Sequence, residues 1–306
     1  MNKPNIIKLK EQGFCYGVKR AIKLVVNAVN DTNIKKPIYL LGNLVHNSHI
    51  DDLLKELGVI VVTGDIRLSM LDDIPNSSTV VFSAHGVSQK VKDKAKQKDM
   101  FVIDTTCPYV EQTFKLIEKE AISSDIYFIG KQNHPESIAA SEISNHVFIF
   151  DPKNIYNEKI NKDNLKIAHQ TTMSCYDIEN IFKEIKKVYP NATVLEMVCK
   201  VTENRQNQLK NISTLELEGT TQIIIVGDKK SNNSTKLYEL ATRINNTDAI
   251  FINEVTELNL ETSRTYDNII IASGTSTPEA LVDEIIDAIN SSKSHVKSNI
   301  SPINLI

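Results

Sequence analysis

Short apolar runs rich in isoleucine and valine alternate along the chain with stretches whose apolar residues recur every three or four positions. The runs have the length of buried strands and the periodic stretches that of amphipathic helices. The pattern therefore predicts an α/β protein of mostly parallel sheets covered on both faces. In "YGVKRAIKLVVNAV", Val18, Ile22, Val25, Val26 and Val29 share one helical face. In "PYVEQTFKLIEKEA", Val110, Phe114 and Ile117 do so, with Pro108 accommodated in the first turn.

The order of elements repeats three times. "NIIKLKEQGF", "MFVIDTT" and "ATVLEMV" read as strands, and each leads to a cysteine, Cys15, Cys107 or Cys199, and then to a helical stretch, the third being "KVTENRQNQLKNIS". Both intervals between these cysteines are 92 residues. Next comes a strand that ends in glycine before a polar cluster: "PIYLLGNLVHN", "DIYFIGKQNHPE" and "QIIIVGDKKSNNS". A second helical stretch and strand follow, and each third closes with a strand and loop: "TVVFSAHGVS", "LKIAHQTTMS" and "NIIIASGTSTP". This gives three similar α/β domains over 1–104, 105–196 and 197–292, with a polar tail over 293–306 that is expected to fray. Sheets of this kind place ligands beyond the carboxyl ends of their strands. A pseudo-threefold arrangement would point three thiols and nine polar loops into one central cavity.

Composition narrows the setting. The 306 residues, 41% hydrophobic and 24% charged, suit an ordinary globular protein, and a formal charge of −3 without a basic run offers nucleic acid no footprint. No apolar stretch is long enough to span a bilayer, and the start "MNKPNIIKLK" lacks a signal-peptide core, so the expected location is a reducing cytoplasm. There the four cysteines read as thiols, and the absence of a C-x-x-C pair disfavours a zinc ribbon or thioredoxin-type site. Cys175 falls outside the series and reads as structural.

Three convergent thiols suit a soft or borderline metal centre. Zinc would need a fourth ligand, usually histidine, whereas a [4Fe–4S] cluster held by three cysteines leaves one iron open to a substrate oxygen. The polar loops supply His46 and Asn47 in "VHN", His85 in "SAHGVS", His134 and Glu136 in "NHPE", and Thr171 and Thr172 in "QTT". "KSNNS" adds Ser231, Asn233 and Ser234, and "GTSTP" adds Ser276. Neutral donors at strand-to-helix turns can cradle phosphate oxygens, although there is no P-loop or G-x-G-x-x-G. Glu136, the one carboxylate among them, suits proton delivery. His49 and His295 read as solvated or structural, and His169 is left open.

These motifs resemble those of the 4-hydroxy-3-methylbut-2-enyl diphosphate reductase family, which catalyses the last step of the methylerythritol phosphate route to isoprenoids. "GFCYGVKRAI", "VHN", "FSAHGVS", "DTTCP", "HPE", "QTT", "CKVTENRQ" and the serine–asparagine loop stand in the family's order from Cys15 to Pro278. The resemblance implies three α/β domains around a central [4Fe–4S] cluster bound by Cys15, Cys107 and Cys199, with one open iron that takes the substrate's C4 oxygen. It implies a diphosphate cradle of His46, His85, Ser231, Asn232, Asn233 and Ser276. His134, Glu136 and Thr171 would form the proton-delivery group, with Thr172 and Thr202 beside them. The implied reaction is reductive removal of the C4 hydroxyl to give isopentenyl and dimethylallyl diphosphates, with a ferredoxin or flavodoxin type electron donor and neither nucleic acid nor membrane as partner. Two rival readings are a non-redox iron–sulfur hydro-lyase and a non-catalytic metal- or redox-sensing protein. Asn232 stands where the family usually has serine, Glu196 where aspartate is common, and Glu203 where a neutral residue is common.

Overall fold

A computed structural model describes residues 3–195, 199–291 and 298. The first strand, β1 (Asn5–Lys8), leads through Cys15 into α1 (Tyr16–Asn30). Then come β2 (Ile38–Leu41), α2 (Ser48–Glu56), β3 (Ile60–Val62), α3 (Arg67–Met70), β4 (Thr79–Phe82), α4 (Gln89–Gln97) and β5 (Phe101–Asp104). The middle of the chain forms α5 (Pro108–Glu120), β6 (Asp125–Ile129), α6 (Pro135–Ser141), β7 (Val147–Ile149), β8 (Leu165–His169), α7 (Cys175–Val188) and β9 (Thr193–Val194). The last part forms α8 (Lys200–Lys210), β10 (Thr221–Val226), α9 (Asn232–Ala241), β11 (Thr247–Ile252), α10 (Leu260–Ser263), β12 (Asn268–Ser273) and α11 (Glu279–Asn290).

These strands make three four-stranded sheets in the orders β3-β2-β4-β5, β7-β6-β8-β9 and β11-β10-β12-β1, and every pairing is parallel. The three orders are one order. Each sheet runs second strand, first strand, third strand, and then the strand that precedes the next cysteine. The expected α/β class and threefold repeat of sheets are therefore present.

One expectation needs correcting. A first domain over 1–104 would keep β1 with β2–β5, yet β1 lies beside β12, with Ile6 opposite Ile269 and Ile7 opposite Ile270. Its four residues belong with the last third of the chain. Nothing local in "NIIK" encodes this, because a short edge strand is placed by long-range packing. By contact density the chain forms two compact units: Met1–Lys19 with His46–Leu53 and Lys200–Ile306, and Arg20–Val45 with Leu54–Cys199. The expectations for Glu196, the Cys175 side chain and the tail other than Ser298 lie outside the described residues.

In the first unit, all six residues of β10 and of β12 are buried, as isoleucine-rich central strands of a parallel sheet should be. Ile224, Ile269 and Ile271 pack on Leu281, Val282 and Ile285 of α11, while Ile223, Ile225 and Ile270 pack on Leu209 and Leu237. Truncating one such isoleucine to alanine costs about 2–5 kcal/mol. In the second unit, Val80, Phe82 and Leu41 share a core with Val91 and Ala95 of α4, and the β6–β8 sheet is covered on both faces. The predicted helix faces hold: Val18, Ile22, Val25, Val110 and Ile117 are buried, and Val26, Val29 and Phe114 partly so.

Candidate active site

In the second unit, β6 ends at Ile129 and the chain turns through Gly130 into α6. A Cβ at Gly130 would lie 2.5 Å from Ser137 Oγ, so only glycine lets the helix approach the strand end this closely. His134 caps α6, its Nδ1 accepting the Glu136 N–H at 3.2 Å, and Pro135 fills the first helical position. That bond fixes the neutral tautomer with the proton on Nε2. His85 meets His134 edge-on, with ring centroids 5.0 Å apart.

Glu136 is fully buried. Its Oε1 accepts the Thr171 N–H at 2.8 Å and its Oε2 accepts the Thr171 hydroxyl at 2.9 Å. Burial raises the carboxyl from 4.5 to about 7, although both Thr171 bonds favour the charged form. A carboxyl poised near neutrality can give up and regain a proton at working pH. Thr171 follows β8 and is held through Gln170, whose Oε1 accepts the Lys131 N–H at 3.0 Å while its Nε2 donates to Thr172 Oγ1 at 2.6 Å. The neighbouring His169 is kept neutral more readily than usual by burial.

Cys107 caps α5 ahead of Pro108, in a turn whose polar groups are tightly held. Thr105 Oγ1 donates to Phe82 O at 2.5 Å, and Asp104 Oδ1 accepts from both the N–H and the hydroxyl of Thr106. Across the next peptide, Thr106 O accepts from Arg20 Nη1 at 3.2 Å and Cys107 N–H donates to Ala84 O at 2.9 Å. Cys199 immediately precedes α8.

The first unit gathers the other expected residues. Cys15 N–H donates to Thr275 O at 3.0 Å, and Arg205 donates to Gly13 O at 2.6 Å and Ser273 O at 2.7 Å, tying the cysteine turn to the loop after β12. Ser231 caps α9, accepting from Ser234 N–H. Ser276 Oγ lies 3.4 Å from Ser231 Oγ and donates to His46 O at 3.1 Å, while Asn47 Nδ2 donates to Ser276 O at 2.8 Å. Asn233 accepts the Thr275 N–H at 2.9 Å through Oδ1, but its buried Nδ2 has no hydrogen-bond partner. A buried orphan donor of this kind is expected to meet an acceptor from outside. Asn232 opens α9 half-buried, and Thr202 is buried on α8.

Within this unit the structure thus brings together His46, Ser231, Asn233 and Ser276; within the other it brings together His85, His134, Glu136 and Thr171. Arg20, Arg205 and Gln170 also contribute, each from inside a motif whose sequence does not disclose its bonds. The supporting bond made by Asn47 is likewise invisible in the sequence.

A family profile described as LytB protein matches residues 6–290. The 4-hydroxy-3-methylbut-2-enyl diphosphate reductase of Bacillus cereus (strain AH820) is 39% identical over 285 residues, 92% of this chain and 88% of its own length. The enzyme of the same name from Bacillus anthracis (strain A0248) is 38% identical with the same coverage. Among solved structures, the E-1-hydroxy-2-methyl-but-2-enyl-4-diphosphate reductase from Plasmodium falciparum superimposes with a TM-score of 0.84 at 27% identity, covering 99% of this chain and 97% of that one. A structure of (E)-4-hydroxy-3-methyl-but-2-enyl diphosphate reductase, described as the terminal enzyme of the non-mevalonate pathway, gives 0.66 at 27% identity, covering 94% and 99%. With most of its length matched by both profile and relatives, the chain belongs to the LytB family, that of the 4-hydroxy-3-methylbut-2-enyl diphosphate reductases.

Proposed function

We propose that this chain reduces 4-hydroxy-3-methylbut-2-enyl diphosphate to isopentenyl and dimethylallyl diphosphates, consuming two electrons and two protons and releasing water. The observation that carries the reading is the fully buried Glu136 carboxyl, gripped by both donors of Thr171 and raised to about 7. A redox or metal sensor has no use for such a proton store.

Cys15, Cys107 and Cys199 are the residues that would hold a [4Fe–4S] cluster. The donor set fits: all three are reduced, partly buried thiols, and an all-sulfur set suits iron–sulfur rather than hard cations. Bound there, the cluster supplies electrons singly and an iron without a protein ligand that acts as a Lewis acid.

The chain's own residues do the rest. Ser231, Asn233, Ser276 and His46 anchor the diphosphate, with the Asn233 amide supplying the donor that the protein leaves unused. His85 and Asn232 add neutral donors. Glu136, about half protonated at neutral pH, delivers a proton to the departing hydroxyl, and Thr171 holds its carboxyl in place. His134, fixed as the Nε2–H tautomer, presents a donor beside it. Electrons come from a ferredoxin or flavodoxin type protein in the cytoplasm. Among the described residues, no helix is long and apolar enough to cross a membrane.

The test is anaerobic purification and reconstitution, with iron, sulfide and zinc analysis followed by assay with the hydroxylated C5 allylic diphosphate and a reduced viologen dye. A brown protein that oxidises the dye with substrate supports the reading. A colourless, zinc-loaded protein, or a brown one inert toward this substrate, refutes it.

A further inference from the structure

Arg67, the first residue of α3, stands outside every motif discussed above, yet it sits at the carboxyl ends of two strands. Its Nη1 donates to Gly86 O at 2.6 Å and its Nη2 donates to Ser83 Oγ at 2.7 Å. A Cβ on Gly42, at the end of β2, would lie 3.7 Å from that same Nη2. Arg67 as a whole is half-buried, and the packing around its guanidinium pushes that group down to about 10. It still carries its charge at neutral pH.

Among the described residues no carboxylate answers that charge. Asp72, five residues on, is taken by Lys94 at 2.6 Å, and the two groups that Arg67 binds are neutral. A buried cation without a counter-ion is strongly unfavourable unless negative charge arrives from elsewhere. The place where it would arrive is marked by the topology, since ligands of α/β sheets bind beyond the carboxyl ends of the strands. The loop clamped between Ser83 and Gly86 is also the one that presents His85, edge-on to His134. At its turn Gly86 has φ +75°, and a Cβ there would lie 2.8 Å from Phe114, so the loop has little freedom to rearrange.

We propose that Arg67 supplies the positive charge behind the His85 loop, a positioning residue that strengthens diphosphate binding through Ser83 and Gly86 without touching the substrate. The inference rests on the functional reading above. It explains how a cradle of neutral donors can hold a multiply charged anion: the charge sits one layer back, where it costs the reacting end of the substrate nothing.

The test uses the cluster-loaded protein, purified anaerobically, with inorganic pyrophosphate as the probe in titration calorimetry and the allylic diphosphate in steady-state assays. Arg67→Met should weaken pyrophosphate binding about tenfold, or about 1.4 kcal/mol, and raise KM similarly while kcat stays within twofold. Arg67→Lys, which keeps the charge but loses the forked geometry, should recover most of the affinity. If Arg67→Met does not fold, Arg67→Gln replaces it as the neutral variant. Neutral variants that bind pyrophosphate within twofold of the parent protein overturn the proposal, as does a fall in kcat at unchanged KM. A parent protein that binds neither pyrophosphate nor substrate sinks the functional reading itself, which is a separate result.

Discussion

Glu136→Gln is the most informative single substitution, because burial ties the folding and the chemistry of this carboxyl to the same proton. Unfolded, the group titrates near its ordinary value of 4.5; folded, it titrates at about 7. Between those values the native state keeps a proton that the unfolded chain has lost. Stability therefore falls as pH rises from about 4.5 to about 7 and is level above that. At about 1.4 kcal/mol per pH unit, the full difference is about 3 kcal/mol. Glutamine has the shape of the protonated acid, and its carbonyl oxygen can still accept the Thr171 N–H.

The variant should therefore match the parent near pH 4.5 and become the more stable protein at high pH. Its advantage should grow by about 2–3 kcal/mol between pH 5 and pH 8, measured by urea unfolding. Turnover with the viologen dye should be abolished, although iron and sulfide content stay unchanged. In the parent protein, the rate should be flat up to about pH 7 and decline above it, because only the protonated carboxyl can donate. An advantage that is equal at both pH values would show that Glu136 is not held protonated by burial. Full activity of the variant would remove it from the proton path.

Three other outcomes follow from the same geometry. Thr171→Val removes the hydroxyl bond at 2.9 Å that favours the carboxylate, so the decline in rate should move to higher pH by about one unit, read from a pH–rate profile. Cys107→Ser should lose most bound iron and sulfide after anaerobic reconstitution, whereas its far-ultraviolet circular dichroism should be unchanged. Gly227→Ala puts a Cβ 2.8 Å from Ser234 Cβ, a clash that rotating the hydroxyl does not relieve, and should cost about 1–3 kcal/mol in urea unfolding.

The sequence discloses periodic features well and long-range ones poorly. The faces of α1 and α5 are written in the spacing of Val18, Ile22, Val110 and Ile117, since a helix repeats its environment every 3.6 residues. The partner of β1 is not written anywhere near it: "NIIK" fits any parallel edge, and only the packing of the sheet against α8 and α11 selects β12. At the site, His134 and Glu136 are visible as a motif, but the depth that moves the carboxyl toward neutrality belongs to the fold. Arg67 shows the limit most plainly. A lone arginine in a polar stretch reads as a solvated surface charge, and its meaning emerges only when Ser83, Gly86 and Gly42 are brought around it.

The pairings of β1 and β5 also explain how two of the cysteine turns work. Because β5 lies beside β4, Cys107 N–H reaches Ala84 O; because β1 lies beside β12, Cys15 N–H reaches Thr275 O. In both sheets the accepting carbonyl stands two residues past the strand end, and the next residue is a proposed diphosphate contact, His85 in one and Ser276 in the other. Lending a strand to another third's sheet thus sets both of these thiol-bearing turns directly against a loop proposed to contact the diphosphate. Had each third kept its own first strand, the cysteine would have lacked that carbonyl, and its turn would have needed other groups to hold it. The repeat is therefore more than three similar cores: the strand exchange couples the residues proposed to bind metal to those proposed to bind substrate, through single backbone hydrogen bonds of 2.9 and 3.0 Å.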